Sequence, residues 1–207
     1  MSYAEPMTER LTYAGWAAGL LFTAVTLVEI FARPGFDLRR HAVSVLSLGP
    51  RGWVMTGTFI GSGLLVLLCA GSLLRLGSVG LAAPILIGLY GLGLVGAGVF
   101  PAPAGLGFPP GTPDDLQPVM DRGAILHSFA FMLAFGSLIA ACFTLGVSQF
   151  TGGVASWGAF SLGAGALMPI FIALGITSRV PPGIGFYVAS LVAWLWLAGV
   201  VVAAQPG

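Results

Sequence analysis

Six apolar runs divide this chain, at about Leu11–Ala32, Gly52–Leu74, Gly77–Phe100, Gly123–Gln149, Gly153–Ile176 and Gly183–Ala204. A hydrocarbon core about 30 Å thick is crossed by roughly 20 helical residues, so each run is long enough to span it. Unpaired amides are too costly to keep in hydrocarbon, and no run shows the alternation of a barrel strand, so the spans are predicted as helices. The expected fold is all-α: a single integral-membrane bundle of six transmembrane helices over residues 1–207. The first run is too long, and too weakly basic in front, for a cleavable signal, and is read as a retained helix.

The polar positions fall unevenly between these runs. The connections near Arg75 and at 150–152 are tight, whereas those at 33–51 and 101–122 are long and polar, the kind of loop that carries function or folds over a membrane face. Helices that alternate in direction put the first, third and fifth connections on one side. That face then holds Arg33, Asp37, Arg39, Arg40, His41, Arg51, Asp114, Asp115, Asp121, Arg122 and Arg179, with Glu29 and His127 one to two turns inside the bilayer boundary. Its six arginines outnumber Arg10 and Arg75 on the other face. Taken literally, the positive-inside rule makes the polar face cytoplasmic, but arginines that line a site are not topology signals, so the orientation stays open.

Composition sharpens the class. Hydrophobic residues make up 57% of the chain and charged ones 7%, against about a quarter in soluble domains, and mean hydropathy is +0.99. Lysine is absent and the eight basic residues are all arginine, with no basic groove for nucleic acid. Cys69 and Cys142 sit alone in apolar runs, without the spacing of a redox pair or zinc site, and are read as small buried residues. Glycines in "IGLYGLGLVGAG" (87–98) and "GAFSLGAGAL" (158–167) are read as close helix packing, and Pro169 as a kink in the fifth span. No haem or nucleotide motif and no metal-ligand spacing is present, so no cofactor and no metal are expected.

The stretch "RRHAVSVLSLGPRGW" (39–53) spaces Arg40, Ser44, Ser47 and Arg51 by four, three and four residues, which predicts one face of a short helix closed by Gly49-Pro50. Val43 and Leu46 fall on its other face. Such a helix either turns its hydroxyls and guanidiniums toward the bundle mouth or lies in the interface with snorkelling arginines. His127 follows Asp121 by six residues, about 9 Å along the fourth span, where an ionisable side chain faces the bundle interior or a wet cavity. Glu29 either pairs with Arg33 at i+4 or serves as a proton donor. "TPDD" (112–115) reads as a capping box, and Asp121 as a partner for the dipole of the fourth span. No spacing ties a particular serine to either histidine.

"RRHAVSVLSLGPRGWVMTGTFIGSGLLVL" (39–67), "GAGVFPAPAGLGFPPGTP" (96–113) and "LHSFAF" (126–131) together resemble the bacterial and archaeal membrane proteins grouped as domain of unknown function 998. The resemblance covers essentially the whole chain. It matches His41, Ser44, Leu46, Gly49, Gly52 and Trp53 in the first motif and Phe100, Pro101, Gly107, Phe108, Pro109, Pro110 and Gly111 in the second. It implies a six-helix fold with a shared polar face, in a multi-pass bacterial or archaeal cytoplasmic membrane, and brings no established reaction. Pro103 and Ser128 stand where the family pattern usually carries acids.

The leading functional reading is a membrane-embedded enzyme acting on a lipid-like or isoprenoid substrate by acid-base chemistry such as cyclisation, isomerisation or hydrolysis. Acids, histidines and hydroxyls gathered at one mouth of an apolar bundle suit a greasy substrate entering sideways. Glu29, His41 and His127 are its acid-base candidates; Arg39 and Arg40 would hold a phosphate or carboxylate, with Ser44, Ser47, Trp53 and Asp121 on the substrate side. A small-molecule transporter fits less well, because the span centres are nearly free of charge and no internal repeat is evident. An accessory subunit whose polar loops dock a protein partner is the third reading. The bilayer is a partner in all three.

Overall fold

The computed structural model describes residues 4–205 and, among them, contains seven α-helices: α1 (Ala4–Thr12), α2 (Ala14–Ala32), α3 (Trp53–Leu76), α4 (Ala82–Val99), α5 (Arg122–Thr151), α6 (Ala155–Ile176) and α7 (Pro182–Ala203). α1 and α2 together supply the first apolar segment, Met7–Ala32, and each later helix supplies one more, giving six segments long and apolar enough to cross a membrane. Such helices are held mainly by close packing and interhelical polar contacts, since lipid is as apolar as leucine. Sequence neighbours pack on one another from α2 to α6 and on to α7, and α7 returns to α2.

Small residues set the closeness of these contacts. A methyl group on Gly63 would lie 2.7 Å from the carbonyl oxygen of Gly91, and one on Gly91 2.9 Å from that of Gly63, so α3 and α4 cross backbone against backbone. Gly93 meets Ala134 of α5 in the same way, its Cα only 2.7 Å from where a methyl would stand. The close approaches of α6 to α5, at Gly146–Leu162, Gly158–Phe150 and Gly165–Cys142, all lie in the half of the bundle remote from the long loops. Near the loops it is α7 that α6 meets closely, at Gly175 against Pro182 and Gly185. α6 runs as one helix through Pro169, between these two regions.

Three local expectations differ from the structure. The third span starts at Ala82 and not at Gly77, because Gly77 (φ 67°) closes α3 in the left-handed conformation and Gly80 (φ 69°) continues the turn. The helix expected from Arg40 to Arg51 shrinks to a 3-10 turn over Val43–Ser47, with Ala42 extended before it and Gly49 at φ 76° after it. Val43 and Leu46 are buried as their spacing requires. "TPDD" caps no helix: residues 113–121 are irregular, and Asp121 is the N-cap of α5, its carboxylate accepting from the Ala124 N–H at 2.8 Å.

Gly93→Ala is expected to cost about 1–3 kcal/mol through overpacking of α4 on α5. Gly136→Ala, where a methyl meets nothing within 4 Å, should be close to neutral. Thermal unfolding of the two variants in one detergent checks the contrast.

Candidate functional site

The long loops fold together into a cap over one end of the bundle. Its centre is Glu29, on the last turn of α2 and 1% exposed. A carboxylate so far from water needs opposite charge and hydrogen bonds. Arg51 supplies both, with Nε at 3.0 Å and Nη2 at 2.9 Å from Oε1. Arg33, the i+4 partner, brings Nη1 to 3.5 Å from Oε2, close enough for an ion pair but not a hydrogen bond, so Oε2 has no hydrogen-bond partner among the described residues. Arg33 itself donates to the carbonyls of Leu46, at 2.8 Å, and Leu48, and its guanidinium lies 5.2 Å from the centre of the Phe108 ring. One buried pair thus ties α2 to the 3-10 turn, to α3 and to the loop between α4 and α5.

His41 belongs to the same cap. Its Nδ1 accepts the Asp37 N–H at 3.0 Å, and its Nε2 lies 2.9 Å from the Leu106 carbonyl, which can only accept, so the proton is on Nε2 and both nitrogens are used. Phe108, fully buried, packs edge-on against Phe36 and at a tilt against His41. Asp37 accepts the Arg39 N–H at 2.9 Å, and this bond, followed by that from the Arg39 side chain, holds the carboxyl below its ordinary pKa against the opposing effect of burial. The stabilisation is therefore present above the ordinary carboxyl pKa and is lost as pH falls through the lowered value. Arg40 reaches Asp114 at 3.5 Å across the surface, an exposed pair worth at most about 1 kcal/mol. On its other side the cap meets α7: Gly183 touches the carbonyls of Leu38 and His41, leaving no room for a side chain.

Beneath the cap lies a cavity of about 340 Å³, within the range of small-molecule pockets. Ala42–Ser44 contribute to its wall, together with residues of α2 to α7. The wall contains no aspartate, glutamate or arginine. Its one ionisable group at the level of the loops is His127, mostly buried and about 7.5 Å along α5 from Arg122. The last carbonyls of a helix lack intrahelical donors, and Phe100, at the end of α4, receives one from His127 Nδ1 at 3.0 Å. That bond fixes the tautomer of the neutral ring and leaves the Nε2 lone pair without a partner among the described residues. Ser128 and Ser190, also in the wall, spend their hydroxyls on the carbonyls of Ala124 and Phe186.

The family model described as Protein of unknown function (DUF998) matches residues 16–203. The chain belongs to the DUF998 family. No curated protein and no solved structure matches it. The matched region of this DUF998 protein takes in all six apolar segments but for the start of the first, together with the cap and the cavity.

The candidate residues separate into groups. Ser44 and His127 come together at the cavity, whereas Glu29 and His41 are bound up in the cap. Ser47 bonds back to the Ser44 carbonyl, Asp121 caps α5, Arg39 and Arg40 pair on the surface, and Trp53 is 74% exposed at the start of α3. Arg33 and Phe108, which organise the cap, and Tyr90, Phe131, Phe186 and Trp194 of the cavity wall were not singled out as site residues. The i+4 spacing from Glu29 pointed to Arg33. Nothing marked the aromatics, because helices apolar all round give no face to read.

Glu29→Gln leaves Arg33 buried without its counter-charge and is expected to destabilise the protein by on the order of 3 kcal/mol. Arg51→Ala, removing a half-exposed partner, should cost less. Detergent-phase melting curves for both variants decide the order.

Proposed function

We propose that this protein is a membrane-embedded enzyme that acts on a lipid-like molecule by acid-base chemistry, with His127 as the base. The observation that carries this reading is the free Nε2 of His127 at a largely apolar cavity, its ring held by the Phe100 carbonyl. A base held in one tautomer by its other nitrogen is the arrangement general-base catalysis needs. An apolar wall without formal charges selects a greasy substrate and excludes a free phosphate or carboxylate headgroup from this position.

Isomerisation or cyclisation suits such a site best. His127 removes a proton from one atom of the substrate and the same proton is returned at another, so no co-reactant is required. Glu29 and His41 act on this reading through the cap that closes the cavity, and Ser44 lines the same cavity as the base. Met132 and Ile176, in the wall yet 63% and 66% accessible respectively, mark the side on which substrate arrives from the bilayer.

Purified protein and a His127→Gln variant, which can still donate to Phe100, should be incubated with fractionated membrane lipids and the products followed by mass spectrometry. Loss of general-base catalysis typically costs about 10²–10⁴ in rate, so the variant should turn over at least about a hundredfold more slowly while still retaining the substrate. Equal conversion by both proteins would sink the acid-base role.

A further inference from the structure

The cavity has a polar end and a deep end. The bond from His127 to the Phe100 carbonyl sets the imidazole level with the end of α4, under the cap. From there the wall continues into the bundle. Tyr90 lies nine residues before Val99 on α4 and Phe135 eight residues beyond His127 on α5, which puts the deep end about 12–13 Å below the base. The close approaches of Gly96 to Ala130 and of Gly93 to Ala134 hold the two helices in that register. Rings gather at this depth: Trp194 has its centre 5.4 Å from that of Phe22 and 5.5 Å from that of Tyr90.

Two measures of this space agree. A cavity of about 150 Å³ lodges benzene, with six carbons, so one of about 340 Å³ lodges about a dozen. An extended peptide advances at most about 3.6 Å over three bonds, about 1.2 Å per bond, so a depth of about 12–13 Å is spanned by about ten or eleven bonds in line. The volume therefore holds one chain along its length. A fused ring system, with carbons side by side, would fill the same volume over a shorter length.

Polarity fixes which way round the chain lies. A lipid keeps its polar end at the interface and its hydrocarbon toward the middle of the bilayer, and the cavity has the same order, with the cap and His127 at one end and the rings of Phe22, Tyr90 and Trp194 at the other. The opening at Met132 lies between them, five residues or about 7.5 Å along α5 from His127, so a lipid sliding in sideways need not turn over. The Nε2 lone pair accepts, so the polar end of the ligand must donate, and a wall without formal charges requires that end to be neutral.

We infer that the cavity holds a single-chain lipid alcohol of about ten to fourteen carbons, its hydroxyl donating to His127 Nε2 and its chain running down to the rings of Phe22, Tyr90 and Trp194. The inference rests on the His127 reading and names its substrate class. The hydroxyl proton is the one that the base is placed to take.

The test is equilibrium binding of straight-chain primary alcohols of graded length to the full-length protein in nanodiscs, with affinity expressed relative to alcohol in the bilayer so that partitioning cancels. Wild type should bind dodecanol best, with octadecanol at least about fivefold weaker because its excess length has to be forced in. The methyl ether of undecanol, equal to dodecanol in heavy atoms but lacking a donor, should also be about fivefold weaker. His127→Phe should abolish the preference for alcohol over ether, whereas Ser190→Ala, whose hydroxyl is already used, should keep it. Trp194→Leu, which deepens the cavity at a ring whose Nε1 has no hydrogen-bond partner among the described residues, should move the optimum to longer chains. Leu94→Trp, one turn of α4 above Tyr90, should move it to shorter ones. A flat length profile, or an optimum that neither variant moves, overturns the inference. If His127→Phe still abolishes the alcohol preference in that case, the acid-base reading stands; alcohol and ether bound alike by wild type removes the two together.

Discussion

The carboxylate of Glu29 has to be neutralised where almost no water reaches it, and the loop architecture follows from how that is done. Two guanidiniums converge on it, one from the end of its own helix and one from the approach to α3. Arg33, being itself buried, must spend its remaining donors, and it spends them on the carbonyls of Leu46 and Leu48 at the end of the 3-10 turn. Those bonds settle where residues 43–48 lie. The face of Arg33 rests on Phe108, which brings in the loop between α4 and α5. A buried ion pair contributes little net stability once desolvation is counted, but leaving either partner unpaired is expensive, so its effect is to specify one arrangement of the loops.

That arrangement makes a cavity possible. The bundle is tightly joined where glycines bring α6 onto α5, and those contacts end before the helices reach the cap. The space beneath is closed by the segment that Arg33 fixes and by α7, which needs Gly183 to reach the cap at all. His127 joins the two levels: one nitrogen completes the hydrogen bonding at the end of α4 and the other is left to the cavity. The polar groups of this end of the bundle thus divide by place, with Glu29 and its arginine partners in the cap and His127 in the wall. Arg39 and Arg40, the candidates for holding a phosphate or carboxylate, lie on the surface with acidic partners.

The sequence by itself determined the class and most of the architecture. Six apolar runs of bilayer length have one low-energy solution in lipid, because every amide must pair within its own helix, and even the i+4 pairing of Glu29 with Arg33 is a local consequence of helical spacing. Local rules misled where tertiary contacts outweighed them. Residues 40–51 have helical spacing, but Arg51 is drawn to Glu29 and the Leu46 and Leu48 carbonyls to Arg33, so the segment forms a single 3-10 turn. Only the tertiary structure separated the cap from the cavity, telling His41, with both nitrogens used, from His127, with one free. It alone brought Tyr90, Phe131, Phe186 and Trp194 to one wall, because an aromatic in a helix that is apolar on every side faces lipid or cavity according to its neighbours, which no periodicity records.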